Sequence, residues 1–336
     1  MAFNFLLRAL SQILLVIRDA RDYAASLRYA EMGIEYCIQH DLDYWLEYFL
    51  IDRTMVRFQQ GYWAEVEQDA KTFLEVKGKP ELYTDIPLIL LSIQARRGEP
   101  LSSEALNTVH EYIPKTNDVD AKCEFAAFFA ERAWLQGDLE QCRAGAEPTY
   151  QAVLQLKYKP DGVHDRGFSE LSYWMWRAGA ITEPRANVIK PYASQIRGNW
   201  REAASMWEKF GCPYEQGMAL MDGDELAQLK ALGIFERLGA RPIIEILKRQ
   251  MHTQGIHIPR GPRPTTRAHP FGLTARELDV LGCLVKGQSN AAIAKELSLS
   301  ARTVEHHISS VLQKMGVQSR NEAVARASKE KLFPSQ

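Results

Sequence analysis

No nucleotide-binding or hydrolytic signature runs through this sequence of 336 residues. A Gly-x-x-x-x-Gly-Lys-Ser/Thr phosphate loop is missing; Lys77-Gly78-Lys79 comes nearest and lacks both the leading glycine and the hydroxyl residue. Nucleophile-elbow serine, dinucleotide glycine fingerprint and kinase-type residue set are absent too, which argues against an enzyme using any of those chemistries. The five cysteines (Cys37, Cys123, Cys142, Cys212, Cys283) are odd in number, scattered, and form no Cys-x-x-Cys pair. That excludes a disulfide framework and reads as reduced thiols, packed as small hydrophobes in a cytoplasmic protein. No metal or cofactor is expected: His252, His257 and His269 lack suitable zinc spacing, and adjacent His306 and His307 point about 100° apart on a helix.

Long apolar runs are also missing. Phe3 to Ile17 is broken by Asn4, Arg8 and Gln12, is too short to span a bilayer, and has no basic region ahead of it. It reads as a core helix, so no membrane partner is expected. Strand-length alternation of period two does not occur. Aromatics are confined as well: all 7 Trp and 13 Tyr lie at or before Tyr214. The densest group, Tyr173-Trp174-Met175-Trp176, reads as core or as the lining of a groove for a ligand or peptide.

Charge of one sign is not lacking overall, but it is unevenly placed. The net charge is −1, yet from Arg260 onward there are 12 Lys/Arg against 6 Asp/Glu, a local excess of +6. A basic end on an acidic body suits nucleic acid at one end only.

What fills the first 255 residues is helix after helix. Tyr23 to Gln39, Tyr44 to Gln60, Trp63 to Val76, Ile86 to Arg97, Ala121 to Gln136 and Phe168 to Arg177 carry apolar residues at three- and four-residue spacing. Glycine recurs after helical segments at Gly61, Gly98, Gly137 and Gly179, with separations of 37, 39 and 42. Gln60-Gly61-Tyr62-Trp63, Gln136-Gly137-Asp138-Leu139 and Arg197-Gly198-Asn199-Trp200 each lead into an Ala-bearing helix. Helix pairs repeating at this period predict a tetratricopeptide-like α-solenoid over residues 1–255, with an irregular bundle as the alternative. Charged residues along it read most simply as its wet face. Residues 256–272 hold Pro259, Pro262, Pro264 and Pro270 with three arginines, which forbids a continuous helix and predicts an extended linker.

Residues 273–336 are punctuated as four helices. Thr274 with Glu277 makes a capping box, and Leu278, Leu281 and Val285 share a face up to Gly287. Ser289 caps a short second helix, and Ser298-Leu299-Ser300 is a tight turn whose Ser300 caps the third. Gly316 ends that helix, and Ser319 with Glu322 repeats the capping box for the fourth. Two helices joined by a tight turn, the second polar on one side, describe a helix-turn-helix. On the third helix Val304, Ile308, Val311, Leu312 and Met315 take the core side. Arg302, His306, Ser309 and Gln313 lie opposite with Glu305 on the border, a stripe narrow enough for a major groove. Ser300, Thr303, Lys314 and Arg320 are candidate phosphate contacts. A merely solvated polar face is the alternative for the whole stripe.

Leu273-Thr274-x-x-Glu277, Thr303-Val304-x-x-His307, Lys314-Met315-Gly316-Val317 and Arg320-x-x-Ala323 resemble the LuxR-type four-helix DNA-binding domain. The resemblance implies that positions 305 and 309 are often Lys; here Glu305 and Ser309 put the usual contacts in doubt and point to a different target, since Glu accepts from cytosine N4. It also implies pairing of the fourth helix across a two-fold axis, for which Val324, Ala325 and Ser328 are the candidate seam. Gly198 to Gly261 is similar to the last helical repeats of large ATP-dependent LuxR-type regulators like the maltose-regulon activator. Those relatives carry an NTPase module upstream, so either this protein lacks that engine or the chain is part of something longer. The expected fold is thus all-α, a solenoid followed by a helix-turn-helix domain. The expected function is sequence-specific transcription regulation on double-stranded DNA as a homodimer, with a small-molecule or protein effector at the solenoid. The alternative is an interaction scaffold whose end domain does not read sequence.

Overall fold

The computed structural model describes residues 2–19, 21–75, 85–156, 166–258, 270–330 and 332–333. The chain divides into two compact units, Met1–His257 and Ile258–Gln336. The fold is all-α, and the described residues contain no strand. Most of the proline-rich linker, like Lys77-Gly78-Lys79, lies outside the described residues.

The first unit runs through α1 (Ala2–Asp19), α2 (Tyr23–Gln39), α3 (Asp43–Gln59), α4 (Trp63–Glu75), α5 (Asp85–Arg97), α6 (Ser103–Tyr112) and α7 (Val119–Leu135). It continues with α8 (Leu139–Gln155), α9 (Arg166–Arg177), α10 (Lys190–Ile196), α11 (Trp200–Phe210), α12 (Pro213–Leu220), α13 (Glu225–Leu238) and α14 (Arg241–Thr253). Neighbours in sequence pack on each other almost throughout, as in a helical-repeat stack. One turn recurs between them. Tyr62 N donates to Arg57 O, Asp138 N to Ala133 O and Asn199 N to Ser194 O, with Gly61, Gly137 and Gly198 at φ 80°, 82° and 81° in between. This is a Schellman stop, whose left-handed residue favours glycine. Arg21 and Asp41 occupy the same position at φ 59° and 53°, which hides those two turns from a glycine count.

Packing between helices needs missing side chains too. A Cβ on Gly33 would stand 2.7 Å from the Phe49 ring, so α2 and α3 approach closely there. The stack also returns on itself: α14 packs against α5 and α7, with Pro242 beside Gly98. Arg21, in the first turn, lays its guanidinium 4.8 Å from the Trp207 ring on α11. Early and late helices therefore enclose a common interior.

Most charged side chains of this unit lie toward the surface, as expected of a wet face, but three, Arg96, Glu131 and Glu215, are buried in that interior. Arg96 is 4% exposed and Glu131 2% exposed, and the guanidinium donates to both carboxylate oxygens at 2.8 and 3.1 Å. Tyr214 donates its hydroxyl to Glu131 at 2.8 Å, and its ring lies 3.9 Å from the Arg96 guanidinium carbon. Arg177 makes a second such knot, donating to Asp222 at 2.7 and 2.8 Å and to the Tyr173 hydroxyl at 2.7 Å. Tyr173, Trp174 and Met175 are buried and all five cysteines are buried and free, as the sequence suggested. The first helix is two-faced: Leu7 and Leu14 are buried, while Val16 is 63% exposed.

The second unit holds α15 (Ala275–Val285), α16 (Asn290–Glu296), α17 (Ala301–Met315) and α18 (Arg320–Lys329). Leu273, Leu281, Ile293, Val304, Val311 and Ala323 meet in one core. Breaking a buried ion pair by removing one partner costs about 3–5 kcal/mol, because the other charge is stranded. Arg96→Met should therefore destabilise the first unit by about that much, read from tryptophan fluorescence during urea unfolding. A loss below about 1 kcal/mol would mean Glu131 finds another partner.

Candidate nucleic-acid interface

The second unit's helices start where serine and threonine can cap them. Thr274 Oγ1 accepts from Glu277 N and the Glu277 carboxylate accepts from Thr274 N, at 3.2 and 2.7 Å, so the capping box is complete. Ser289 and Ser300 accept from Ala292 N and Thr303 N at 3.3 and 3.1 Å. At α18 the box is only half made: Ser319 accepts from Glu322 N, but the Glu322 carboxylate bonds Gln318 N and the Ser319 hydroxyl instead of Ser319 N.

Between α16 and α17 the chain turns within Leu297-Ser298-Leu299-Ser300. Leu299 N donates to Ala294 O at 2.8 Å, and Ser298 takes φ 54°. A non-glycine residue in that region is uncommon, and here a polar serine accepts the strain of a turn that sets the angle of the next helix. Arg276 on α15 reaches across to the Leu297 carbonyl, fastening the end of α16. Sequence reading missed this contact, since nothing local announces a bond over 21 positions.

Val304, Val311 and Met315 bury one side of α17, with Ile308 and Leu312 partly buried beside them. The opposite side carries Arg302, Glu305, His306, Ser309 and Gln313, all exposed. The stripe read from the sequence thus lies together on one accessible face. Ser309 turns its hydroxyl back to Glu305 O at 3.0 Å, and the His306 and His307 rings stand 6.3 Å apart. Among the described residues no group of three His, Cys, Asp or Glu could hold a metal. Ser300 and Thr303 share a hydroxyl contact of 2.7 Å at the helix start, where backbone amides face outward.

The two basic residues expected to grip phosphates have internal partners. Lys314 Nζ lies 2.6 Å from Glu277 Oε2, and Glu277 is buried. Arg320 bonds Asn290 Oδ1 at 3.3 Å and the Gln288 carbonyl. Arg326, not singled out from sequence, donates to Met315 O at 2.6 Å and stacks 5.0 Å over Phe271. These cations brace the ends of α16 and α17. Of the expected seam, Val324 is half-buried against the core, whereas Ala325 and Ser328 are exposed.

Residues 272–327 match the family model of bacterial regulatory proteins, luxR family. The chain is similar to the HTH-type transcriptional activator RamA of Corynebacterium glutamicum, 46% identical over 55 residues, 16% of this chain and 20% of that protein. It is also similar to the HTH-type transcriptional regulator MalT of Klebsiella pneumoniae, 33% identical over 202 residues, 57% of this chain and 21% of that protein. MalT of Yersinia pestis matches at 34% over 111 residues, 31% of this chain and 12% of that protein. The matched stretches thus span about a fifth or less of these relatives. No solved structure matches. No described helix is long and apolar enough to cross a membrane.

Burial opposes the charge on Glu277, but hydrogen bonds from Lys314 and from Thr274 outweigh it and hold the carboxyl below its usual value of 4.5. A carboxylate depressed by folding adds stability above its unfolded value, lost as pH falls through the folded one. The second unit should therefore weaken below about pH 4.5, and Lys314→Met should flatten that loss. At neutral pH the variant should cost about 1 kcal/mol, since the lysine end is over a third exposed and screened. Segment-resolved amide exchange is the measurement, because this unit has no Trp or Tyr. An unchanged acid response would place the pair outside the domain's stability.

Proposed function

We propose that the chain, whose residues 272–327 form a LuxR-family domain, is a DNA-binding transcription regulator working in the cytoplasm rather than an enzyme. The observation that carries this is the exposed stripe Arg302, Glu305, His306, Ser309 and Gln313 on a helix whose other side is locked into a core. Such a helix enters a major groove with its side chains already aimed, so base contacts form with little ordering cost. Arg302 suits guanine, Gln313 adenine, and Glu305 cytosine N4. The local excess of +6 from Arg260 onward supplies the salt-dependent attraction. The names of the relatives, an HTH-type activator and HTH-type regulators, support the same reading.

Residues 1–255 serve in this reading as the sensor or interaction part, 256–272 as the linker and 273–336 as the reader. Phosphate contact comes first from the amides and hydroxyls at Ser300 and Thr303. Lys314 and Arg320 contribute by bracing α17 and α16, and reach phosphate only by leaving Glu277 and Gln288. The scaffold alternative, in which the end domain reads no sequence, differs in one respect: it has no preferred duplex. Selecting bound fragments from a genomic library tests this, and an enriched motif decides for the regulator. Uniform recovery would overturn it.

At the selected site, His306→Ala should cost about 1–3 kcal/mol and relax the preference locally while leaving random-duplex affinity nearly unchanged. Equal losses on both duplexes would remove His306 from base reading. Two copies are proposed to pair through α18 on adjacent half-sites about one helical turn apart. Val324 packs on its own core, so its replacement would confound folding with pairing; Ala325, exposed, gives the cleaner test. Ala325→Glu puts like charges across the seam and should weaken a two-half-site duplex at least tenfold more than a single half-site. Parallel losses would sink pairing through this helix.

A further inference from the structure

Two charges on α17 stand where folding alone gives no reason for them. Arg302 occupies the first turn, and that turn holds no acidic residue. A cation at a helix start opposes the helix dipole, which favours anions there. Glu305 lies one turn on, on the face proposed to meet DNA, where phosphates repel a carboxylate. Both side chains are exposed, and among the described residues neither has a hydrogen bond or an ion pair. Neighbouring charges are engaged: Lys314 pairs with Glu277, Lys286 with Glu296 and Arg276 with Asp279.

Spacing brings the two together. Residues three apart share a helix face, with Cβ atoms about 5–6 Å from each other. His306, one position further, points about 100° away and faces a different base step. One turn beyond Glu305, Ser309 donates its hydroxyl proton to Glu305 O at 3.0 Å, so it does not compete with a base for the Glu305 carboxylate.

The major-groove edge of a G·C pair has the matching pattern. Guanine offers the acceptors N7 and O6, and cytosine the N4–H donor beside them. Arginine takes the two acceptors and a carboxylate takes the donor. An A·T pair alternates single acceptors with one donor and ends in a methyl group, so it satisfies neither side chain fully. Guanine's acceptors repel a carboxylate, which makes the reading directional.

We propose that Arg302 and Glu305 read one G·C base pair jointly, Arg302 on the guanine and Glu305 on the cytosine N4–H. Glu305 is then a specificity-determining residue, because its charge lowers affinity for every duplex that lacks cytosine at that place. Arg302 by itself would take a guanine on either strand; the carboxylate beside it fixes which strand carries the guanine. This deepens the reading of the second unit as a DNA reader and rests on it.

The test uses the full chain and a duplex library with a random core. The wild type should enrich a motif with a fixed G·C pair. N4-methylcytosine in that pair removes the groove-facing N4–H, and 7-deazaguanine removes the N7 acceptor; each should weaken wild-type binding about tenfold. Glu305→Ala should become indifferent to the methyl group, and Arg302→Ala to the missing N7. Both variants should lose preference at the same base pair. Glu305→Ala should also keep or raise affinity for random duplex, because a negative charge leaves the interface. A role confined to folding would lower affinity on every duplex and would overturn the proposal. Preferences lost at two different base pairs, or wild-type tolerance of N4-methylcytosine, overturn the joint reading while the DNA reader stands. Uniform recovery from the library overturns both.

Discussion

The Arg96 guanidinium is the point from which the first unit is held. It sits on α5, bonds Glu131 on α7, and lies within 3.8 Å of Glu170 on α9 and Glu215 on α12. A helical-repeat stack gains most of its stability from nearest neighbours, and nothing in that rule brings α5 to α12. A buried cation changes this, because it must stay surrounded by carboxylates wherever they lie in the chain. The Phe58 and Tyr214 rings sit on it at 5.0 and 3.9 Å, and so exclude the water that would otherwise share its charge. The stack is thereby closed around an ionic centre rather than left open as a spring. Apolar contacts such as Pro242 on Gly98 follow the same closure.

Legibility from sequence divides along the same line. The second unit is governed by contacts three to five residues apart, and its punctuation could be read directly: Thr274, Ser289, Ser300 and Ser319 all cap helices, and Gly316 ends α17 at φ 62°. Helices in the first unit were legible for the same reason, with α2 matching its expected bounds. Arg96 with Glu131, 35 residues apart, and Tyr214 with Glu131, 83 apart, leave no local trace. Periodicity places a charge on a helix face but cannot tell that another helix covers that face. The same limit hid Lys314 on Glu277, 37 residues apart, which gives the lysine an internal partner that the sequence did not announce. The solvated stripe on α17 was legible because exposure needs no partner.

The two units solve opposite electrostatic problems. Helix α17 keeps Arg302, Glu305, His306, Ser309 and Gln313 in water, where each retains its hydration. Its cations at the edges are drawn inward, onto Glu277 and the Gln288 carbonyl, which fixes α17 without spending the stripe. In the first unit a few charges, Arg96, Glu131 and Glu215, are buried while most lie toward the surface. Asp85 and Asp120 are pushed up to about 6 and about 7, chiefly by burial, although Arg166 opposes both shifts. Negative charge is in surplus there, as it is over the residues before Arg260 as a whole.

A surplus of buried charge of one sign has a mechanical consequence. Each uncompensated carboxylate favours any arrangement that lets water back to it, so it pulls the closed stack toward opening. The Arg96 centre pulls the other way, and the aromatic wall from Tyr173 to Trp207 through Tyr192 adds ring contacts at 5.4 and 4.9 Å that keep the interior dry. The closed form is therefore balanced between an ionic tie and an ionic strain located within a few ångströms of each other. A proton on Glu170 relieves part of the strain and acts on the same helices that Arg96 gathers. A local change of charge at this centre therefore changes how α5, α9 and α12 are held together.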